Sequence, residues 1–157
     1  MEYNLINLSY LEEVADGDTE LIKELINIFI DQLPEFINGF DEAVQENDWL
    51  KIAAIAHKAK SSVVSMGLNE LGNVDLKNLE LLAKQSRVNQ LNEVGINTNS
   101  EKTEFEALSK GLSEYPEKRM EWIKENSNIG TIKELVNKFG KVIEEVTVEL
   151  NQVLCKS

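Results

Sequence analysis

Apolar residues recur at spacings of three and four along most of the chain, which is the period of amphipathic helices rather than of strands. The clearest stripe predicts a long helix over residues 18–46, in which Pro34 removes one backbone donor and predicts a kink. Shorter stripes predict helices over residues 48–66 and 69–87, and a last helix starts near Thr131. Four such helices bury their stripes most simply against each other, so the sequence predicts an all-α, antiparallel up-down four-helix bundle.

Local signals mark the helix ends. The segments 9–12 (Ser-Tyr-Leu-Glu) and 131–134 (Thr-Ile-Lys-Glu) fit capping boxes, which predict a short first helix from Ser9 and the start of the last helix. Asp18 is the expected N-cap of the long helix, and Asn47-Asp48 is expected to close that helix and cap the next.

The stretch between the predicted fourth and last helices is less regular. Residues 88–102 have no clear period and four asparagines, which predicts a loop. Residues 103–126 are weakly helical and broken at Pro116. We therefore expect one domain over residues 1–157, with an insert at about 88–128 before the last helix.

Charge and composition exclude several classes of protein. The 157 residues include 16 Lys and Arg against 28 Asp and Glu, a net charge of −12, which argues against nucleic acid and anionic lipid as partners. No apolar run is long enough to span a membrane. Cys155 is the single cysteine, so no internal disulfide forms and a cytoplasmic setting is expected. A single histidine removes most metal sites, so no metal is predicted. No cofactor is expected either, and the protein is expected to be a monomer.

Residues 49–69 stand out because they contain no Asp or Glu in an acidic chain, but three lysines, Lys51, Lys58 and Lys60. A helical wheel places His57 on the side opposite the core. We expect the core side to consist of Ile52, Ile55, Ala56, Ala59, Val63 and Met66. The exposed face around His57 is predicted to carry Leu50, Ala53, Ala54, Lys60, Ser61 and Val64.

An exposed imidazole has a use in phosphoryl chemistry. Its ordinary pKa near 6.5 leaves the ring largely neutral at pH 7, with a lone pair free to act as a nucleophile. Lys60, three residues on, lies on the same face and can reach an anion on the ring. The same pattern also fits an ordinary surface histidine beside solvated lysines. A metal ligand is disfavoured, because zinc normally needs three or four ligands.

Residues 57–67 (His-Lys-Ala-Lys-Ser-Ser-Val-Val-Ser-Met-Gly) resemble the signature of the histidine-containing phosphotransfer (HPt) domain family. His57, Lys60, Ser62 and Gly67 fall at the matching positions. The order of helices is also similar, so the resemblance covers roughly residues 5–86 and 130–155. Ser61 stands where the family often has glycine, and the insert replaces a short connection.

The resemblance implies a phosphorelay protein that is a phosphoryl carrier and not an enzyme with its own ATP site. His57 would accept phosphoryl from a receiver-domain aspartate and pass it to another receiver, Lys60 would offset the phosphoryl charge, and Gly67 would serve the turn into the fourth helix. The partners would be response-regulator receiver domains and a hybrid sensor histidine kinase, with Mg²⁺ on the receiver. Candidate docking residues are Leu50, Ala53, Ala54, Ser61, Val64, Gly67 and Leu68.

Two other functions stay open at this point. One is a helical adaptor of the same fold that docks or sequesters a response regulator without transferring phosphoryl. The other is an unrelated helical adaptor or dimerisation domain. The insert fits a partner-specific arm, a packing extension or a tolerated loop.

Overall fold

All regular secondary structure in the computed structural model, which describes residues 3–156, is helical. A π-helical segment, Leu71–Leu76, runs directly into α4. The α-helices are α1 (Ser9–Val14), α2 (Thr19–Glu46), α3 (Trp49–Ser65), α4 (Lys77–Val94), α5 (Asn99–Ser113), α6 (Glu117–Asn126) and α7 (Ile129–Cys155). No helix among the described residues is both long enough and apolar enough to cross a lipid bilayer.

The predicted caps around α2 and α3 are confirmed. The Asp18 carboxylate accepts hydrogen bonds from the backbone amides of the first turn of α2, at 3.0 and 3.2 Å. Asn47 closes α2 in the left-handed conformation, with φ of 53°. Asp48 then accepts from the amide of Lys51 at 3.2 Å. α2 continues through Pro34, and a kink there stays a prediction.

Both predicted capping boxes are wrong. Ser9 begins α1, but its hydroxyl donates back to the Asn7 side chain at 2.6 Å, and Leu8 at the N-cap makes no side-chain cap. At the other end of the chain, Asn128 caps α7 by accepting from the amide of Thr131 at 2.9 Å, so the helix begins at Ile129. Asn128, three residues before that amide, therefore acts as the N-cap in place of the predicted Thr131.

The loop predicted over residues 88–102 is also wrong. α4 continues to Val94 and α5 begins at Asn99, which leaves a short connection at residues 95–98. The extension of α4 is stabilised by burial, because Val88 and Leu91 are only 7% and 2% exposed. The break at Pro116 is confirmed, with Pro116 at the N-cap of α6.

Four long helices enclose the core. α3 packs against α2 and α4, α2 packs against α7, and α7 packs against α4. The rings of Phe40 on α2 and Phe139 on α7 meet edge to face, with centroids 5.4 Å apart. The inserted helices α5 and α6 both pack on α4, and each buries one large apolar residue, Leu112 and Ile123. The insert is therefore a folded extension of the core.

Two glycines allow close backbone approaches near α3. Gly67 has φ of +83°, and a Cβ there would lie 2.5 Å from the Cβ of Asn7. Gly72, in the π-helical segment, packs against α3, where a Cβ would lie 2.5 Å from Cγ2 of Val64 and 3.0 Å from the carbonyl oxygen of Lys60. Gly72 thus brings the start of α4 against α3 one turn from His57, and this close packing helps to fix which residues of the two helices meet.

Candidate functional site

His57 lies on the surface of α3, as the wheel predicted. Its side chain is 69% exposed, whereas Ala56 and Ala59 on either side of it are fully buried. The burial of these neighbours fixes the orientation of α3 and leaves the imidazole accessible to a second protein.

Within the described residues 3–156, the imidazole has one hydrogen-bonding partner. Its Nδ1 lies 3.3 Å from Oε1 of Glu80, which reaches across from α4. The Glu80 side chain is only 4% exposed, and its other oxygen, Oε2, accepts from Nζ of Lys84 at 2.9 Å. A buried carboxylate that is bonded on both sides has little freedom, so it is well placed to orient the ring.

The contacts of Glu80 also determine its protonation state. Burial, the largest single influence, raises the pKa of this carboxyl, but the hydrogen bond and charge of Lys84, the contact with His57 and the charge of Lys77 together lower the pKa below its usual value of 4.5. Glu80 is therefore ionised at neutral pH and accepts the proton of Nδ1. That hydrogen bond favours the tautomer whose Nε2 carries the free lone pair.

The three lysines of the acid-free segment have different surroundings. Lys51 and Lys58 pair with Glu42 and Glu35 of α2, at 3.1 and 3.3 Å. Among residues 3–156, no carboxylate lies within 4 Å of the Lys60 ammonium group. Lys60 is therefore the lysine of this segment that no carboxylate of the described residues neutralises.

The predicted docking residues differ in their exposure to solvent. Leu50, Ala54 and Ser61 are exposed, and Val64 and Gly67 are half-buried. The placement of Ala53 and Leu68 on the exposed surface is wrong, because they are only 5% and 6% exposed. A single helix wheel does not include the other segments of the fold that pack against these two positions.

An open groove of about 520 Å³ adjoins the His57 face along α3. α1 contributes Tyr10, whose residue surface is 55% exposed, and the approach to α4 contributes two asparagines. The groove is lined by Tyr10, Lys60, Ser61, Val64, Ser65, Asn69 and Asn73. It combines an aromatic ring, an aliphatic side chain, one lysine and uncharged polar groups, which suits contact with another protein.

A family model described as "Hpt domain" matches residues 24–95, just under half of the chain. Residues 24–95 are similar to the Hpt domain family. The matched segment contains the histidine, Lys60, Glu80 and Lys84, and it ends before α5 begins. No curated protein and no solved structure matches the chain.

Sequence reasoning missed the Glu80–Lys84 pair beside the imidazole. The acid-free character of residues 49–69 suggested a site without carboxylates, but the carboxylate comes from another helix. One signal was present, since Glu80 is the lone charge in the run Leu79-Glu80-Leu81-Leu82-Ala83, and a charge in an apolar run indicates a buried, partnered group. Its partner on α3 depends on how the helices pack.

Proposed function

We propose that this protein is a phosphorelay carrier that accepts a phosphoryl group on Nε2 of His57 from a receiver-domain aspartate and passes it to the aspartate of another receiver. The observation that carries the proposal is the exposed His57 imidazole held at Nδ1 by the buried carboxylate of Glu80, within the segment that matches the Hpt model. A neutral imidazole in this arrangement presents a nucleophile to an incoming protein.

In the forward step, the Nε2 lone pair attacks the phosphorus of the aspartyl phosphate. The Nε2–P bond forms, the P–O bond to the aspartate breaks, and the aspartate leaves as a carboxylate. The ring keeps its proton on Nδ1, so the phosphorylated imidazole gains a positive charge, which ionised Glu80 stabilises. The return step to a second receiver reverses these bond changes.

The carrier itself supplies few groups to the reaction. Lys60 offsets negative charge on the phosphoryl oxygens, and Mg²⁺ with the acidic pocket belongs to the receiver. No nucleotide is needed, because the phosphoryl arrives already on an aspartate, supplied through the receiver of a hybrid sensor histidine kinase. We also propose that the protein is a monomer in the cytoplasm, and that its four long helices form one antiparallel up-down bundle.

The receiver docks on the face that surrounds His57. Ala54 and Ser61 leave room beside the imidazole, and Leu50 adds exposed apolar surface. The groove beside Val64 extends this face to Tyr10 of α1. Interfaces of this transient kind are small, and one exposed aromatic ring then contributes a large share of the binding.

The test is phosphoryl transfer from ³²P-labelled receivers of the source organism. We expect acid-labile, base-stable label on the wild type and none on His57→Gln. Lys58→Gln is the matched control, because Lys58 is next to His57 in sequence but its ammonium group pairs with Glu35 of α2. It should accept label at the wild-type rate.

Two results would overturn the proposal. One is a wild type that takes no label from any receiver. The other is label that persists in His57→Gln. Receiver binding without any label would instead identify a non-transferring adaptor.

A further inference from the structure

A row of charged side chains runs along α4 beside His57. Lys77, Glu80, Lys84 and Arg87 follow each other at spacings of three, four and three residues, which places them on one stripe of the helix. Glu80 contacts His57, so the stripe lies beside the imidazole. The cations of the row are each held by a different contact, and two of these contacts come from the insert, one from α5 and one from the turn before α6.

The insert holds both ends of this row. At one end, the Arg87 guanidinium bonds to Glu104 of α5, with Nη2 3.2 Å from Oε2. At the other end, the Lys77 ammonium group lies over the ring of Tyr115, 5.8 Å from its centroid. Lys84, in the middle of the row, is bound by Glu80 itself.

Tyr115 is firmly placed relative to α4. It lies in the turn between α5 and α6, and Pro116 after it restricts its backbone. Arg119 of α6 donates to the side chain of Asn78, the residue next to Lys77, and lies 4.8 Å from the Trp122 ring centroid. These contacts fix the turn against the start of α4, so the Tyr115 ring is a stable support for the lysine.

We propose that Tyr115 is a positioning residue that holds the Lys77 ammonium group at the edge of the His57 site, where Lys77 joins Lys60 in offsetting the charge of the phosphoryl group. This inference rests on the proposed function. It gives the inserted helices a role at the site, through one ring and one lysine, without any direct contact with the histidine.

A count of charges supports the assignment. A phosphoryl group brings about two negative charges. Lys58 and Lys84 are already paired with Glu35 and Glu80, whereas no carboxylate of the described residues forms an ion pair with Lys60 on α3 or Lys77 on α4. Lys77 is also close enough for its charge to contribute, after the larger effects of burial and Lys84, to the lowered pKa of Glu80.

The Tyr115 ring restricts the Lys77 side chain as well as attracting its charge. A free lysine side chain loses considerable rotamer entropy when it is fixed, and a cation–π contact with a rigid ring offsets part of that loss. When a phosphoryl group departs through a loose transition state, negative charge moves from its oxygens towards the bond that breaks. A nearby ammonium group therefore stabilises the phosphohistidine more than its hydrolysis transition state, and it lengthens the lifetime.

The test uses the full chain phosphorylated chemically on its single histidine with phosphoramidate, so that no receiver is involved. Nε2 attacks the phosphorus, the P–N bond breaks, and ammonia leaves. The half-life of the phosphohistidine is then followed by ³¹P NMR. The variants are Lys77→Gln, Tyr115→Leu and their double variant. Tyr115→Phe keeps the ring face, and Lys133→Gln, exposed on α7, controls for net charge.

We expect Lys77→Gln and Tyr115→Leu each to shorten the half-life about twofold, the size that one screened charge several ångströms away produces. The double variant should match Lys77→Gln alone, because the ring acts through the lysine. Tyr115→Phe and Lys133→Gln should keep the wild-type half-life. The difference between Lys77→Gln and the wild type should shrink at 1 M salt, which a merely structural defect would not do.

Three outcomes would overturn the inference. An unchanged half-life in Lys77→Gln would remove that lysine from the site. A normal half-life in Tyr115→Leu alongside a short one in Lys77→Gln would remove the ring. Equal shortening in Tyr115→Phe would show that packing, not the ring face, matters. Because phosphoramidate replaces the receiver, these results are independent of whether receivers transfer phosphoryl to His57.

Discussion

Replacing Glu80 should slow phosphoryl transfer in a graded way. Glu80→Gln keeps an oxygen that can accept from Nδ1 but loses the charge, and it turns an amide towards Lys84. Glu80→Leu loses the acceptor altogether while keeping an apolar side chain of similar size in a position that is 3% exposed. We therefore expect transfer to be fastest in the wild type, slower in Glu80→Gln and slowest in Glu80→Leu.

The magnitude follows from the geometry. A hydrogen bond to a charged group contributes about 1.5–3 kcal/mol. The contact with His57 is long, at 3.3 Å, and the imidazole is 69% exposed, so we take about 1 kcal/mol as its effect on the transition state. One kcal/mol corresponds to roughly fivefold in rate. The transfer rate of Glu80→Leu should thus be about fivefold lower than that of the wild type. The transfer rate of Glu80→Gln should fall by about half as much on a logarithmic scale.

The assay combines single-turnover transfer from a phosphorylated receiver with ¹⁵N NMR of the imidazole. The chain has one histidine, so its two ring nitrogens are assigned without ambiguity. In the wild type, the proton should reside mainly on Nδ1, and in Glu80→Leu the two tautomers should mix. Thermal unfolding shows whether each variant is folded.

A clear result would refute this reasoning. If Glu80→Leu is folded, shows the wild-type tautomer and transfers at the wild-type rate, then Glu80 does not orient the ring. Slow transfer with an unchanged tautomer would assign the effect of Glu80 to charge on the phosphorylated imidazole instead.

Three further predictions concern neighbouring features. Lys60→Glu should slow transfer at least several-fold while changing the free energy of unfolding by less than about 0.5 kcal/mol. Lys58→Glu is the control for this variant. Equal transfer rates in the two variants would remove Lys60 from the mechanism. Gly72→Ala should lower stability by about 1–3 kcal/mol in urea unfolding, because its Cβ would overlap Val64, and a neutral result would contradict the close packing. Because the folded-state pKa of Glu80 lies below 4.5, the unfolded chain binds its proton more readily, so the stability that Glu80 contributes is present above pH 4.5 and is lost as the pH falls below it. The difference in unfolding free energy between the wild type and Glu80→Gln should therefore shrink in acid, and a constant difference would count against this.

Local sequence patterns were sufficient for the main helices. The apolar stripe of α2 and the caps at Asp18 and Asp48 depend on residues within one or two turns of each other. The exposure of His57 also follows from its own helix, because Ala56 and Ala59 mark the buried side. Such short-range relations can be read from one stretch of chain.

Other features depend on residues far apart in the chain. The second half of α4 has weak periodicity, and it is helical because its apolar residues pack under the inserted helices that follow. The burial of Ala53 and Leu68 likewise comes from other segments. In each of these cases the relevant partner is missing from the local sequence.

The chain by itself predicted the proposed nucleophile, His57, and the proposed cation, Lys60, because the helical period places both on one face of one helix. Only the tertiary structure decided the groups that orient and tune the imidazole. Glu80 is 23 residues from His57 in sequence and meets it at 3.3 Å because α3 and α4 pack closely, which Gly72 permits. Helical periodicity fixes where a side chain points around its own axis, but the contact between two helices depends on the packing of both surfaces.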